Sequence, residues 1–361
     1  MKTVVTVARS SPPWIRQSEG DSIELCDGRQ LFVYMEFAGD GSDYAATRLS
    51  AKESADGGLT WGGHRVITTT PPGDVNVYSP NLIRTLDGEI LLIFMRQHTV
   101  EPRTLTLHAW KSSDEGESFG ECCEFMAHSD MGLCNATVRR LDSGRLLLPV
   151  NPQVDAPPGP WGLTYAAAVL YSDDDGLTWQ EAADRVHLPM RGAMEPHVDQ
   201  TRDGRVLMVM RNQLGALFIS ESADDGVAWS LPQTTGLRSP EACPLLARIP
   251  DTGDLLMIWN NSPYDPGFAS HFGKRSPLTA AVSRDEGLSW GHIRDIEDDP
   301  SRAFSNPGVR FTSDGKALLN YWTCEYLPNR RMQDIIDCRV AVIDTEWFYE
   351  SEDAPIPFDT N

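Results

Sequence analysis

The residues in this chain best suited to chemistry are carboxylates, arginines and one histidine, spaced as strand ends rather than as a local cluster. Glu195-Pro196-His197 sets a carboxylate and an imidazole two residues apart, on one face of a strand by its period of two. Either group could carry a proton during a reaction. Arg211 follows Glu195 by sixteen residues, and Arg16 and Arg275 each stand ahead of a recognisable turn. A guanidinium grips a carboxylate through two parallel hydrogen bonds and keeps its charge at any useful pH, so grouped arginines would hold an acidic ligand. The glycine-rich stretch Gly39-Asp40-Gly41-Ser42-Asp43-Tyr44 offers a loop carboxylate, Asp40 or Asp43, while Glu241 and Asn306 add polar strand ends. No C-x-x-C pair and no H-E-x-x-H occur, and the seven cysteines are scattered. Neither a zinc site nor a cofactor is expected from those spacings, and an odd cysteine count fits reduced thiols in a cytoplasm better than a disulfide framework.

Two repeated turns must position these groups. The first is Ser-x-Asp-x-Gly-x-Ser/Thr-aromatic, found at Ser54–Trp61 with a glycine pair, Ser112–Phe119, Ser172–Trp179, Ser222–Trp229 and Ser283–Trp290. Its aspartates at 56, 114, 174, 224 and 285 advance by 58, 60, 50 and 61 residues. The second is a glycine turn before an apolar run, as in Cys26-Asp27-Gly28-Arg29 before LFVYM and Leu86-Asp87-Gly88-Glu89 before ILLIFM, and it occurs six times. Asp-Gly between short apolar runs signals a hairpin, because the turn needs positive φ. Each unit of about sixty residues therefore holds four strands, and six units fill the chain. The predicted fold is all-β, a six-bladed β-propeller with four antiparallel strands per blade, forming a single domain over 1–361. The sixth unit lacks the aspartate turn, so the amino-terminal strand is expected to complete it and close the ring.

These repeats resemble the Asp-box repeats of the sialidase (neuraminidase) superfamily over nearly the full length. The resemblance implies an exo-acting glycoside hydrolase that removes a terminal acidic sugar at one end of the propeller axis. It also implies three arginines around the sugar carboxylate. Arg211, eleven residues before the box at Ser222, and Arg275, eight before Ser283, match the fourth- and fifth-blade arginines, with Arg16 as the first. Asp43 takes the place of the family's acid/base aspartate, and Glu195 that of the carboxylate that polarises the nucleophilic tyrosine. That tyrosine belongs near the start of the sixth inner strand, where Arg302-Ala303-Phe304-Ser305-Asn306-Pro307-Gly308 contains none. With Asp43 as acid and Glu195 as base, water could instead invert the anomeric centre. His197 could serve as the base of a lyase acting on a uronate, or be a structural histidine. The box aspartates read as structural, bonding their own turns.

Composition narrows the partners. With 31 basic against 52 acidic side chains the formal charge is −21, which disfavours nucleic acid. Apolar runs stop at five or six residues, such as Leu91 to Met95, so no membrane-spanning helix is expected. The amino terminus, Met1–Arg9, reads as a strand rather than a signal peptide. The expected partner is a carbohydrate, an anionic oligosaccharide held in a local positive well. A noncatalytic glycan-binding propeller is the alternative outside enzymology.

Overall fold

A computed structural model describes residues 1–154, 163–268 and 271–351, together with the backbone of 356–357. Six antiparallel sheets follow one another along the chain. Blade one runs Trp14–Glu24, Gln30–Ala38, Thr47–Ser54 and Gly62–Thr69, from the axis outward. Blade two repeats this order from Asn76–Arg84 to Gly120–Ser129, blade four from Met194–Gln200 to Gln233–Arg238, and blade five from Leu245–Arg248 to Ser289–Glu297. In blade three the inner strand is broken into Gly132–Leu133 and Arg139–Arg140. Blade six takes Arg302–Phe311, Lys316–Glu325 and Asp337–Asp344 from the carboxy-terminal part, and its outer strand is Lys2–Ala8. Thr3 pairs with Val342 and Val5 with Val340, so the ring closes as the sequence predicts.

The second strand of each blade is apolar on both faces because both are covered. Leu31, Val33 and Met35 pack toward blade two, joining Leu82, Leu92 and Phe94. Phe32 and Tyr34 turn the other way, onto Leu318 and Val340 of blade six. The same alternation fills all six junctions between blades, so the core is a ring of six apolar wedges.

The aspartate turns join third to fourth strands. In the first, Ser54 Oγ donates to Asp56 Oδ1 (2.8 Å) and accepts from Gly58 N (2.8 Å), while Thr60 N donates to Asp56 Oδ1 (2.8 Å). Trp61 Nε1 donates to Gly58 O at 2.8 Å. The other four boxes repeat the serine–aspartate–glycine bonds. Gly116 and Gly176 have φ of +82° and +90°, and a Cβ there would meet Leu31 of blade one at 2.4 Å and Leu91 of blade two at 2.5 Å. Glycine is required twice over, for the left-handed backbone and for contact with the preceding blade.

Candidate active site

A bulge recurs in the inner strands and aims residues at the axis. Pairing slips between Ser18 and Gly20, Tyr78 and Asn81, Met194 and His197, and Ser305 and Gly308. The extra residues, Glu19, Ser79, Glu195 and Asn306, have positive φ of 29°, 56°, 43° and 50°. All four line one cavity of about 460 Å³ at the end of the axis. Non-glycine residues held in this region cost conformational energy that the surrounding sheet must outweigh, a pattern common at functional sites.

The three arginines singled out in the sequence converge there. Arg16, Arg211 and Arg275 all line the cavity, with Asp43, Glu195 and Asn306. Arg16 is buried with its guanidinium over the Phe37 ring, 4.0 Å from the centroid. It donates to Asp43 Oδ1 (2.6 Å), Glu19 Oε1 (3.0 Å) and the Gly41 carbonyl (3.2 Å). Tyr78 Oη donates to the same Asp43 oxygen at 3.2 Å. Arg211 donates to Glu195 Oε1 (3.0 Å) and to Glu241 Oε1 (2.9 Å). Arg275 differs: among the described residues no carboxylate oxygen forms an ion pair with it. Its Nη2 meets only the Glu241 carbonyl at 3.5 Å, its Nε is buried without a partner, and the residue is 4% exposed.

Burial and charge set the protonation of these groups. Burial raises the Glu19 carboxyl, with Arg16 opposing in part. Asp43, at the open mouth of the cavity, is held below the usual carboxylate range: the desolvation of the cavity works against this, but the charge and hydrogen bond of Arg16 and the Tyr78 hydroxyl prevail. Burial and then the charge of Asp43 push the Tyr78 phenol well up, so it is protonated in the free protein. Burial, with Arg211 adding to it, lowers the Arg275 guanidinium.

Two predicted residues lie elsewhere. Glu241 does not line the cavity; it stands behind Arg211, where Arg191 (2.6 Å) and Gln213 (2.8 Å) also donate to it. Burial opposes its ionisation, and Arg211 and Arg191 overcome that, so it is a carboxylate that positions Arg211. His197 does not share the face of Glu195, because the bulge interrupts the alternation between them. The imidazole is fully buried below the cavity floor, and burial together with Arg139 and Arg310 lowers its pKa well below the ordinary value. Asp40 is also outside the cavity, which Asp43 lines.

Sequence reasoning missed Glu19, which the bulge makes an axis residue only three positions after Arg16. It also missed the wall formed by Arg331, Met332, Gln333 and Asp334, from the loop before the third strand of blade six. A second pocket of about 320 Å³ shares Asp43, Tyr78, Glu195 and Arg211 with the first and extends it past Gln97, Arg103, Asn151 and Tyr165.

The family described as BNR repeat-like domain matches residues 28–319. The chain belongs to that family. Its propeller is also similar in fold to solved structures of low sequence identity. A protein of unknown function from Dyadobacter fermentans DSM 18053 aligns with TM-score 0.70 and 17% identity, over 94% of this chain and 99% of the other. The Trypanosoma rangeli sialidase in complex with the inhibitor DANA gives 0.68 and 13%, over 94% and 59%. The NanB sialidase from Streptococcus pneumoniae gives 0.70 and 13%, over 94% and 70%. The BNR repeat-like chain thus spans well under two thirds of the trypanosomal sialidase. No curated protein matches it. In this BNR repeat-like propeller Phe304 is fully buried in the wedge between blades five and six, edge-on to Tyr321, and offers nothing to the cavity.

Proposed function

We propose that the protein is an exo-acting glycoside hydrolase that removes a terminal acidic sugar, a sialic acid or a close relative, from oligosaccharides. The observation that carries this reading is Arg275. It is buried and, among the described residues, ion-paired to no carboxylate, and the more distant charges of Glu195 and Glu241 offset only part of its burial, so a ligand carboxylate would supply the partner it lacks. Arg16 and Arg211 stand on the same cavity, each already sharing its charge with carboxylates, so a single sugar carboxylate would find three guanidinium donors there. These arginines also answer the net charge of −21, which repels anions at long range but acts weakly within a Debye length of about 8 Å.

In this reading Asp43 protonates the departing glycosidic oxygen. Its pairing with Arg16 makes it a poor acid in the free protein. The entering carboxylate competes for Arg16, weakens that pairing and raises the Asp43 pKa when the proton is needed. Glu195 activates water: one of its oxygens is held by Arg211, and the other, Oε2, is buried with no partner and can accept a proton. A lyase using His197 loses support, since that imidazole is outside the cavity.

The test is turnover of a panel of sialosides and terminal uronides by wild type, Arg275→Ala and Glu195→Gln. Release of sialic acid that both variants lose upholds the reading. Tight sialic acid binding by wild type, lost in Arg275→Ala but without turnover of any glycan, would instead make this a glycan-binding propeller.

A further inference from the structure

Below the cavity floor the axis carries a second constellation that sugar hydrolysis does not use. Cys134 of blade three, His197 of blade four and Cys243, just ahead of the inner strand of blade five, bring two sulfurs and one imidazole nitrogen within 4.8 Å of one another. Cys134 Sγ lies 3.6 Å from Cys243 Sγ, and Cys243 Sγ lies 3.7 Å from His197 Nε2. We propose that Cys134, His197 and Cys243 form a site for a thiophilic divalent cation of the zinc class, tying blades three, four and five together on the axis.

Three observations carry this. The first is distance. With bonds of about 2.3 Å to sulfur and 2.0–2.1 Å to nitrogen, a tetrahedral zinc sets two sulfurs about 3.8 Å apart and sulfur and nitrogen about 3.6 Å apart. The two measured separations match those edges, and the third, between Cys134 and His197, lies within 4.8 Å. The second is the imidazole. It is wholly buried, its Nδ1 has no partner, and its Nε2 faces only a thiol, which is a weak donor. Burial, with Arg139 and Arg310, holds the ring neutral, the form that binds metal, whereas the hydrogen bond with Cys134 and burial raise the Cys243 thiol, so the metal itself must displace that proton. The third is access. Cys134 lines the sugar cavity, so an ion entering the cavity reaches one ligand at its floor.

Binding displaces one proton from each thiol. The cation, two thiolates and a neutral imidazole make an uncharged centre, and two protons leave to solvent. Three protein ligands leave a fourth position for water. No spacing motif announces the site, because its ligands lie 46 and 109 residues apart in the chain and meet only when the ring closes.

The experiment uses the full chain with Cys26, Cys122 and Cys123 changed to serine, reduced and then freed of reductant. Zinc alone is titrated in, with bound metal, released protons and thermal midpoint recorded. About one equivalent per chain, two protons per ion and a raised midpoint are expected, and cobalt(II) should give a thiolate charge-transfer band in the near ultraviolet. In the same background Cys243→Ser and His197→Asn should each weaken binding by about tenfold or more. Less than about a tenth of an equivalent, or unchanged affinity in a folded Cys243→Ser chain, overturns the proposal. Should the variants not fold, the cobalt spectrum of the parent decides, and absence of the thiolate band overturns it. None of these readouts depends on glycosidase activity.

Discussion

Arg16 Nη1 and Asp43 Oδ1 stand 2.6 Å apart at the mouth of the axial cavity, the arginine buried and the carboxylate open to solvent. If Asp43 is the acid of the proposed hydrolase, this pairing makes it conditional on the ligand. In the free protein Arg16 holds Asp43 below the usual carboxylate range, so little of it is protonated near neutrality. Once a sugar carboxylate engages Arg16, the Asp43 pKa rises. The alkaline limb of kcat, which reports the bound state, is therefore expected at higher pH than the alkaline limb of kcat/KM, which reports the free enzyme. Coincident limbs would show that ligand binding leaves Asp43 untouched.

Asp43→Asn separates the acid's role from binding. Natural glycosides need a proton on the leaving oxygen, and their turnover should fall by about 10²-fold or more. Aryl glycosides with acidic phenols leave without help, so their kcat should fall much less. An equal fall for both classes would assign Asp43 to holding Arg16 and not to proton transfer.

Arg275→Met tests whether function here opposes stability. Removing a buried, unpaired cation while keeping most of its length should leave the thermal midpoint unchanged or higher. Binding of the acidic sugar should weaken by about tenfold to a hundredfold, the range for one charge-assisted hydrogen-bonded contact. A lowered midpoint would mean that Arg275 is satisfied by the protein itself.

Glu241→Gln should behave in the opposite way. Arg211 and Arg191 lower the Glu241 pKa, so its carboxylate stabilises the fold above its unfolded value of about 4.3. That contribution is lost as pH falls through the lower folded value. The variant should melt earlier than wild type at neutral pH, and the difference should shrink as pH drops below about 4. KM should rise more than kcat falls, since Glu241 acts only by holding Arg211.

Much of this was legible in the sequence because it repeats. Five aspartate turns and six glycine turns fixed the blade count, and the leftover sixth unit pointed to Lys2–Ala8 as the closing strand. Arg211 and Arg275 were legible by their distance from those turns, Asp43 by its glycine-rich loop and Glu195 as the entry of an inner strand. What failed was alternation across a bulge. A period of two puts Glu195 and His197 together, whereas one extra residue sends the carboxylate to the cavity and the imidazole beneath it. Glu19 was hidden for the same reason. Glu241 was found but misjudged, because a strand-end position cannot tell a ligand-facing carboxylate from one that stands behind an arginine.

The aspartate turns should prove structural. Asp56 accepts from the backbone of Leu59 and Thr60 and from the Thr60 hydroxyl (2.6 Å), which holds its pKa at about 2. Asp56→Ala removes these bonds at one corner of blade one, outside the cavity lining. A loss of about 1 kcal/mol in unfolding free energy is expected, with kcat/KM unchanged at temperatures where the chain is folded. A selective loss of turnover would give the turn a role in the site.

The stereochemical outcome follows from where hydroxyls stand. Where the resemblance calls for a tyrosine the sixth inner strand has Phe304, and that ring is sealed in the wedge between blades. Tyr78, half-buried, lines the cavity, but its phenol is protonated and its hydroxyl donates to Asp43, the group assigned to the leaving oxygen. A tyrosine bound to the acid is poorly set to attack the opposite face of the sugar, whereas Glu195 stands on a different blade with a free oxygen for water. Proton NMR of the first-formed product should therefore show inversion, and a fluorinated sialic acid that traps covalent sugar–enzyme intermediates should leave the protein mass unchanged. Retention, with a sugar adduct mapped to Tyr78, would reassign the nucleophile to blade two and make Asp43 the group that deprotonates it. Tyr78→Phe distinguishes the two routes directly: under inversion it should cost only the hydrogen bond to Asp43, about tenfold in kcat, and under retention it should abolish turnover.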